Sequence, residues 1–204
     1  MTKKTDKVKL ICIVPAAGIS SRYKNGNKLF DKNFGNNNLQ VITSSLISLS
    51  LDEIDKIIIG YNKNDKLARE YLDNFSQIAK EKISLNEDKI KFLKGGKSRQ
   101  ETVYNAMKFI GENIDDCSDL WVLVHDAARA FMPKEVFELV AAGLEKAVSV
   151  VPAINLADTI KKTSGEWVEN TLDRSELVAV QTPQGFRVKE LREALDGATT
   201  DFTD

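Results

Sequence analysis

The sequence has little cysteine, a single histidine and no long apolar run, and each shortage excludes a class of protein. Cys12 and Cys117 lie far apart and lack the spacing of metal ligands, so no disulfide framework is indicated, and Cys12 is predicted to be a structural thiol. The only histidine, His125, gives poor support to a zinc site or a histidine-based catalytic triad. No apolar run approaches a membrane span, and the formal net charge of -1 supplies no basic field for nucleic acid.

The first seven residues are polar and basic, and the apolar run that follows is too short for an export signal. We therefore expect a cytoplasmic protein with no nucleic-acid partner and no membrane association. Its 204 residues are 42% hydrophobic and 29% charged, which predicts a single domain spanning 1–204 with a sizeable core.

Apolar runs typical of strands alternate with helix-like segments along most of the chain. The strands are predicted at Leu10–Val14, Lys56–Ile59, Lys89–Leu93, Leu120–Val124 and Ala147–Val151. The helices are predicted near Leu39–Leu49, Asp65–Lys80, Arg99–Ile110 and Lys134–Leu144. This alternation predicts βαβ units, and hence a three-layer α/β fold with a mixed, mainly parallel sheet covered on both faces.

Two segments interrupt the alternation. Lys24–Asn38 is rich in Asn, Gly and Lys, which predicts a mobile loop. Between about residues 155 and 180, Asp158–Lys162 and Val168–Leu172 flank a turn-rich break. These flanking segments predict a β-hairpin arm that stands off the sheet.

The first candidate site follows the first strand, in the stretch Val14–Lys28. The small residues Ala16, Ala17 and Gly18 let the backbone approach a ligand, and free N–H groups in such a loop attract anions. Arg22 and Lys28 lie further along and suit the binding of a triphosphate. The alternative is an ordinary strand-to-loop junction with solvated charges.

A second candidate lies where Lys94–Thr102 passes from a strand through two glycines into a helix. The helix start offers N–H groups and a positive dipole end, and the turn with Gly96 and Thr102 is suited to a base or ribose. The same residues also fit a plain β–α turn with a Ser98 cap and a capping box completed by Glu101, and the two interpretations are compatible.

A third candidate is the end of the strand Leu120–Val124. Ligands gather at the carboxyl ends of strands in open α/β sheets, where Asp126 is placed to bind Mg²⁺ or a ribose hydroxyl. For Arg129, an ion pair with a neighbouring carboxylate and a ligand contact both stay open. We predict a structural role for His125.

A fourth candidate set lies in and after the predicted arm. The hydroxyls of Thr159 and Thr182 and the guanidinium of Arg174 are suited to a phosphate monoester. The alternative is a surface salt bridge between Asp158 and Arg174, which would contribute little to stability.

These motifs, in this order, resemble those of the 2-C-methyl-D-erythritol 4-phosphate cytidylyltransferase family from about Ile11 onwards. The family pattern P-A-A-G-x-G-x-R, followed by P-K, matches Pro15–Arg22 and Lys28. The pattern G-G-x-x-R-x-x-S/T matches Gly95–Thr102, and H-D-A-A-R matches His125–Arg129. The pattern D-T-I-K matches Asp158–Lys161, and Q-T-P-Q-x-F matches Gln181–Phe186. Ribitol-5-phosphate cytidylyltransferase is a related alternative. The Ala-Ala-Gly loop and Ala128 are more similar to the methylerythritol enzyme.

The resemblance implies a Rossmann-like fold of the nucleotide-diphospho-sugar transferase type and transfer of CMP from CTP to methylerythritol phosphate, with Mg²⁺ and release of pyrophosphate. It implies that Arg22 and Lys28 stabilise the reacting phosphates. The implied CTP site comprises Ala16, Ala17, Gly18, Gly96, Thr102 and Asp126. The implied substrate site comprises Arg129, Thr159, Arg174 and Thr182, at the interface of a homodimer whose arms cross between subunits.

The chain departs from the family pattern at particular positions. Ser20 replaces a second glycine and resists positive φ, Asn27 replaces the proline before Lys28, and Ala130 replaces a proline. The sequence ends at Asp204, before the family's last strand and its Asn-Ile-Lys segment, which we expect to be absent. That expectation favours a second hypothesis, a non-catalytic nucleotide-binding protein that kept the fold, whereas Arg22 and Lys28 favour the enzyme.

Overall fold

Strands and helices alternate along the part of the chain that the computed structural model describes, which is residues 9–21, 23–32, 39–83, 86–114, 117 and 119–198. The strands are β1 (Lys9–Ala16), β2 (Lys56–Tyr61), β3 (Ile90–Lys94), β4 (Leu120–Val124), β5 (Ser149–Val150), β6 (Ala153–Asn155), β7 (Lys161–Ser164), β8 (Trp167–Thr171), β9 (Val178–Val180) and β10 (Gln184–Arg187). The helices are α1 (Val41–Ser48), α2 (Lys66–Asp73), α3 (Phe75–Ile78), α4 (Arg99–Asn113), α5 (Lys134–Leu144) and α6 (Val188–Asp196).

The central sheet has six strands in the order β3-β2-β1-β4-β10-β5. β1 lies parallel to β2 and β4, and β2 lies parallel to β3. β10 is antiparallel to both β4 and β5. The predicted α/β fold with a mixed, mainly parallel sheet is therefore confirmed.

Hydrophobic residues cover both faces of this sheet. Alternate side chains of a strand point to opposite faces, so Cys12 and Val14 of β1 join one apolar cluster and Ile11 and Ile13 join the other. The first cluster includes α1, α2 and α5, and the second includes α4 and α6. Cys12 is fully buried, as expected of a structural thiol, and burial raises its pKa, so that the thiol stays protonated.

One predicted helix and one predicted loop are corrected. The segment Asp65–Lys80 divides into α2 and α3 at Asn74, whose side-chain amide donates to the Glu70 carbonyl and competes with helical hydrogen bonding. The loop predicted to be mobile at Lys24–Asn38 buries Leu29 and Phe30, because a turn folds them onto the core. Residues 33–38 of that loop lie outside the described residues.

The predicted arm is present as two small antiparallel pairs, β7 with β8 and β6 with β9. Gly165 in the turn between β7 and β8 has φ 58°, a left-handed conformation that favours glycine. Every residue of β7 and β8 is exposed, and Trp167 is 82% exposed. Within the described ranges, no helix combines the length and apolar character that crossing a bilayer requires.

Candidate functional site

A cleft of about 870 Å³ opens at the carboxyl ends of the central strands, between the loops that follow β1, β3 and β4. Six of the residues predicted from sequence line it: Ala17, Gly18, Lys28, Gly96, Thr102 and Asp126. This arrangement agrees with the rule that ligands bind at this edge of an open α/β sheet.

The other predicted site residues lie elsewhere. Ala16 is buried behind the cleft, and Arg129 and Thr182 line a neighbouring groove of about 660 Å³. Thr159 and Arg174 lie on the exposed arm, away from both cavities. Arg22, predicted to be catalytic, lies outside the described residues.

Small residues allow the loops after β1 and β3 to approach each other closely. A Cβ atom at Gly95, in the loop after β3, would lie 2.4 Å from the Cβ of Ala17, in the loop after β1. A Cβ atom at Gly60 of β2 would lie 2.3 Å from Cγ2 of Thr102, which lets α4 pack closely on the strand beside the cleft. Both distances are far below van der Waals contact, so only glycine fits these two positions without displacement of the neighbours. The loop after β1 itself turns at Ser20, which adopts φ 51° although serine resists that conformation.

The second loop ends at the start of α4. Ser98 caps this helix by accepting from the Glu101 N–H at 3.1 Å, and the Glu101 carboxylate accepts from the Lys97 N–H at 2.6 Å. The Thr102 hydroxyl accepts from the Gly96 N–H at 3.0 Å and donates to the Ser98 carbonyl at 2.8 Å. The capped β–α turn is therefore present, and Thr102 fixes the shape of the loop beside the cleft.

Asp126 lies between two guanidinium groups. Arg99 Nε is 3.0 Å from its Oδ1 atom, and Arg129 Nε is 3.5 Å from its Oδ2 atom. Both arginines also bond to glutamines, Arg129 to Gln181 and Arg99 to Gln184 at 3.2 Å. The ion pair that the sequence analysis left open for Arg129 is present. The sequence analysis assigned no role to Arg99, although Arg99 is the arginine of the G-G-x-x-R pattern.

His125 connects this loop to Thr182. Burial lowers the pKa of His125, so its imidazole is neutral near pH 7. Its Nε2 lies 3.0 Å from the Arg129 carbonyl, which can only accept, so Nε2 carries the proton. Nδ1 then accepts from the Thr182 hydroxyl at 3.2 Å, and that hydroxyl oxygen accepts from the Asp126 N–H at 3.2 Å. His125 thus supports the backbone that presents Asp126, in agreement with its predicted structural role.

The residues around the cleft fit a metal that arrives with a phosphate substrate. The described part of the chain has no group of three or more His, Cys, Asp or Glu side chains able to bind a metal ion. Mg²⁺ needs no such group, because it is commonly bound by one or two carboxylates together with substrate phosphates and water. Asp126, whose carboxylate lines the cleft, suits this mode if the metal replaces one of its two ion pairs, of which the contact with Arg129 at 3.5 Å is the longer.

The arm presents its predicted residues to solvent. Arg174 lies in a short 3-10 turn, Arg174–Glu176, and its guanidinium donates to the Ala157 carbonyl. Asp173 begins this turn by accepting from the Ser175 N–H at 2.9 Å. Asp158 and Arg174 are both described and form no ion pair, so the surface salt bridge considered as an alternative is absent from this structure.

Comparison with known proteins gives one consistent family. The family model for 2-C-methyl-D-erythritol 4-phosphate cytidylyltransferase (IspD) matches residues 10–204. The enzyme of that name from Bacillus cytotoxicus is 38% identical over 189 residues, which are 91% of this chain and 76% of the relative.

Solved structures agree with this match. The 2-C-methyl-D-erythritol 4-phosphate cytidylyltransferase of Francisella tularensis superposes with a TM-score of 0.70 at 27% identity, over 92% of this chain and 76% of that one. The 4-diphosphocytidyl-2C-methyl-D-erythritol synthase of Anaerococcus prevotii superposes with a TM-score of 0.75 at 23% identity, over 98% of this chain and 80% of that one. This second match shows a similar fold.

Proposed function

Because this chain belongs to the 2-C-methyl-D-erythritol 4-phosphate cytidylyltransferase family, we propose that it transfers CMP from CTP to 2-C-methyl-D-erythritol 4-phosphate. The products are 4-(cytidine 5'-diphospho)-2-C-methyl-D-erythritol and pyrophosphate. The observation that carries the proposal is that Gly18, Lys28, Gly96 and Asp126, from the loops after β1, β3 and β4, all line one cleft. A cytoplasmic location, expected from the sequence, is part of the same proposal.

The reaction needs positioning and charge neutralisation rather than a protein nucleophile. An oxygen of the acceptor phosphate attacks the α-phosphorus of CTP, and the bond from that phosphorus to the bridging oxygen of the β-phosphate breaks, so pyrophosphate leaves. Lys28 lines the cleft, and its ammonium is proposed to neutralise charge that develops on the phosphates. Arg22 is proposed to share this role, as its place in the motif implies.

The nucleotide is proposed to lie along the two glycine-containing loops. Backbone groups near Ala16, Ala17 and Gly18 would approach the phosphates, and the Gly96 loop, shaped by Thr102, would approach the base or ribose. Asp126 would bind Mg²⁺ together with the phosphates of CTP. When bound, Mg²⁺ supplies positive charge that stabilises the phosphate oxygens.

A homodimer is the second part of the proposal. A groove of about 660 Å³ lies beside β6, and apolar side chains stand exposed around it and on the arm. The exposed fractions are 77% for Phe131, 72% for Leu139, 57% for Ile154 and 82% for Trp167. Exposed apolar side chains of this size are typical of an interaction site. A two-fold dimer would cover them on both copies and bring Arg129, Thr159, Arg174 and Thr182 toward an acceptor phosphate.

The reaction is tested by pyrophosphate release with Mg²⁺ and each pairing of CTP or ATP with 2-C-methyl-D-erythritol 4-phosphate or ribitol 5-phosphate. We expect the fastest release from CTP with the methylerythritol substrate. Faster release with ribitol 5-phosphate would assign the chain to the related activity. Thermal stabilisation by CTP without release from any pairing would favour the non-catalytic nucleotide-binding protein.

The dimer is tested by exchanging Phe131 for glutamate and measuring the mass in solution by light scattering. The Phe131 ring is exposed while Ala130 and Met132 beside it are buried, so the change should leave the subunit folded. We expect the mass to fall from two chains to one, because a charge would be buried in the interface. Lys108→Glu, an exposed position on α4, is the control that should stay dimeric. A wild-type protein of single-chain mass would contradict the proposal.

A further inference from the structure

Asn27 is a polar side chain buried beside the cleft, with all its hydrogen-bonding capacity used. It is 2% exposed. Its Oδ1 accepts from the Ser20 hydroxyl and from the Leu29 N–H, both at 3.1 Å. Its Nδ2 donates to the Gly18 carbonyl at 3.0 Å and to Asp65 Oδ2 at 2.7 Å. Two donors and two acceptor sites are the full inventory of an asparagine amide.

Asn27 also builds the turn that contains Lys28. Its backbone carbonyl accepts from the N–H groups of Phe30 and Asp31, each at 3.1 Å, while its side chain accepts from Leu29. Three successive N–H groups therefore bond to this one residue. Lys28 lies inside this turn and lines the cleft, so the backbone that Asn27 holds is the backbone that carries the lysine side chain.

The same amide connects this turn to two other elements. Gly18 and Ser20 belong to the loop after β1 that lines the cleft. Asp65 caps α2, since its Oδ1 accepts from the Leu67 N–H at 2.9 Å, so Asn27 links the loop to the start of a helix. Ser20 and Asn27 are also two of the positions at which this sequence departs from the family motif, and in the structure their side chains bond to each other.

We propose that Asn27 is a positioning residue for the transfer reaction, fixing the Lys28 ammonium relative to the Gly18–Ser20 loop through its four side-chain hydrogen bonds. The expected effect of Asn27 on kcat rests on the proposed function, whereas its expected effect on the turn rests on the geometry alone. Asn27 touches no substrate in this scheme and acts through Lys28. Small displacements of a positioned group lower the rate of the chemical step more than they lower binding.

The kinetic test compares Asn27→Ala with the wild type in the pyrophosphate-release assay. We expect kcat to fall by about tenfold or more, with the KM for the acceptor phosphate changed by less than about twofold. The double variant Asn27→Ala/Lys28→Ala should be no slower than Lys28→Ala alone, because the first change acts through the residue that the second removes. Multiplicative effects of the two changes would overturn the proposal.

Asn86→Ala is the matched control. Asn86 Oδ1 accepts from the Asp88 N–H at 3.0 Å, a bond two residues along the chain like that of Asn27 to Leu29, but in an exposed turn before β3. We expect this variant to keep the wild-type kcat. An equal fall in kcat for both variants would show a general loss of stability and would overturn the specific role of Asn27.

A third measurement does not depend on activity. Hydrogen–deuterium exchange followed by mass spectrometry reports the opening of the Leu29, Phe30 and Asp31 N–H groups in the protein without ligand. We expect faster exchange in the peptide spanning residues 27–31 for Asn27→Ala and unchanged exchange there for Asn86→Ala. Unchanged exchange in Asn27→Ala would overturn the inference even in an active enzyme. If the wild type releases no pyrophosphate, the proposed function fails while this measurement still decides whether Asn27 fixes the turn.

Discussion

Replacement of Lys28 by alanine is expected to lower kcat for pyrophosphate release by about 100- to 1000-fold, or about 3–4 kcal/mol of activation free energy, with the fold intact. Lys28 lines the cleft between two buried residues, Asn27 and Leu29. Those neighbours bury the turn, so the lysine side chain is presented from a fixed backbone rather than from a mobile loop. A fixed backbone reduces the rearrangement needed to place the lysine charge beside the reacting phosphates. Measurement of kcat and of the thermal midpoint separates the loss of chemistry from unfolding.

Lys32→Ala is the control for this prediction. Lys32 stands four residues further along and forms an exposed ion pair with Glu70 at 2.7 Å, away from the cleft. An exposed pair of this kind contributes little to stability, so the control should keep both its activity and its midpoint. Wild-type kcat in Lys28→Ala, or a loss of folding in that variant, would contradict the assigned role.

The central strands were predictable because they are buried on both faces. Leu10–Val14 of β1 and Leu120–Val124 of β4 read as short apolar runs, which are typical of strands buried on both faces. β10 was not predicted, since it contributes only Gln184–Arg187, begins with a buried polar residue and pairs antiparallel between β4 and β5. Its position in the sheet depends on the path of the chain after the arm, and a pattern of four residues cannot indicate that path.

The sequence predicted which loops form the candidate site, but it predicted few of the hydrogen bonds within that site. Motifs placed Gly18, Gly96 and Asp126 at one edge of the sheet, and the structure brings them to one cleft. The sequence did not show that the Thr182 hydroxyl bonds to His125 and Asp126, because these partners lie more than fifty residues away along the chain. The Thr102 hydroxyl bonds within its own β–α turn, to Gly96 and Ser98, where the sequence suggested a ligand-binding loop or a plain turn. The Asn-rich composition that predicted a mobile loop similarly concealed Asn27, whose polar groups are all satisfied in the interior.

Replacement of Arg174 by alanine is expected to weaken binding of the acceptor phosphate far more than binding of CTP. Arg174 lies on the exposed arm and lines neither the cleft nor the groove of its own subunit, so we expect it to contact the acceptor bound to a second copy of the chain. An arm of two short strands has little apolar surface of its own to bury and is stabilised chiefly by packing on a partner. In a two-fold dimer each arm would cross to the other subunit and present its guanidinium to the acceptor phosphate there.

A guanidinium–phosphate contact is typically worth about 1.5–3 kcal/mol, so the KM for the acceptor should rise at least about tenfold in Arg174→Ala. The KM for CTP should change by less than about twofold, because Arg174 does not line the cleft in which the nucleotide is proposed to lie. Lys162→Ala is the control on the same arm, where Lys162 pairs with Glu169 at 2.6 Å, and it should leave both constants unchanged. Light scattering on the same samples must show a dimer for the argument to hold. A fully active single chain would exclude the contribution across subunits, and a loss of CTP affinity would remove Arg174 from the acceptor site.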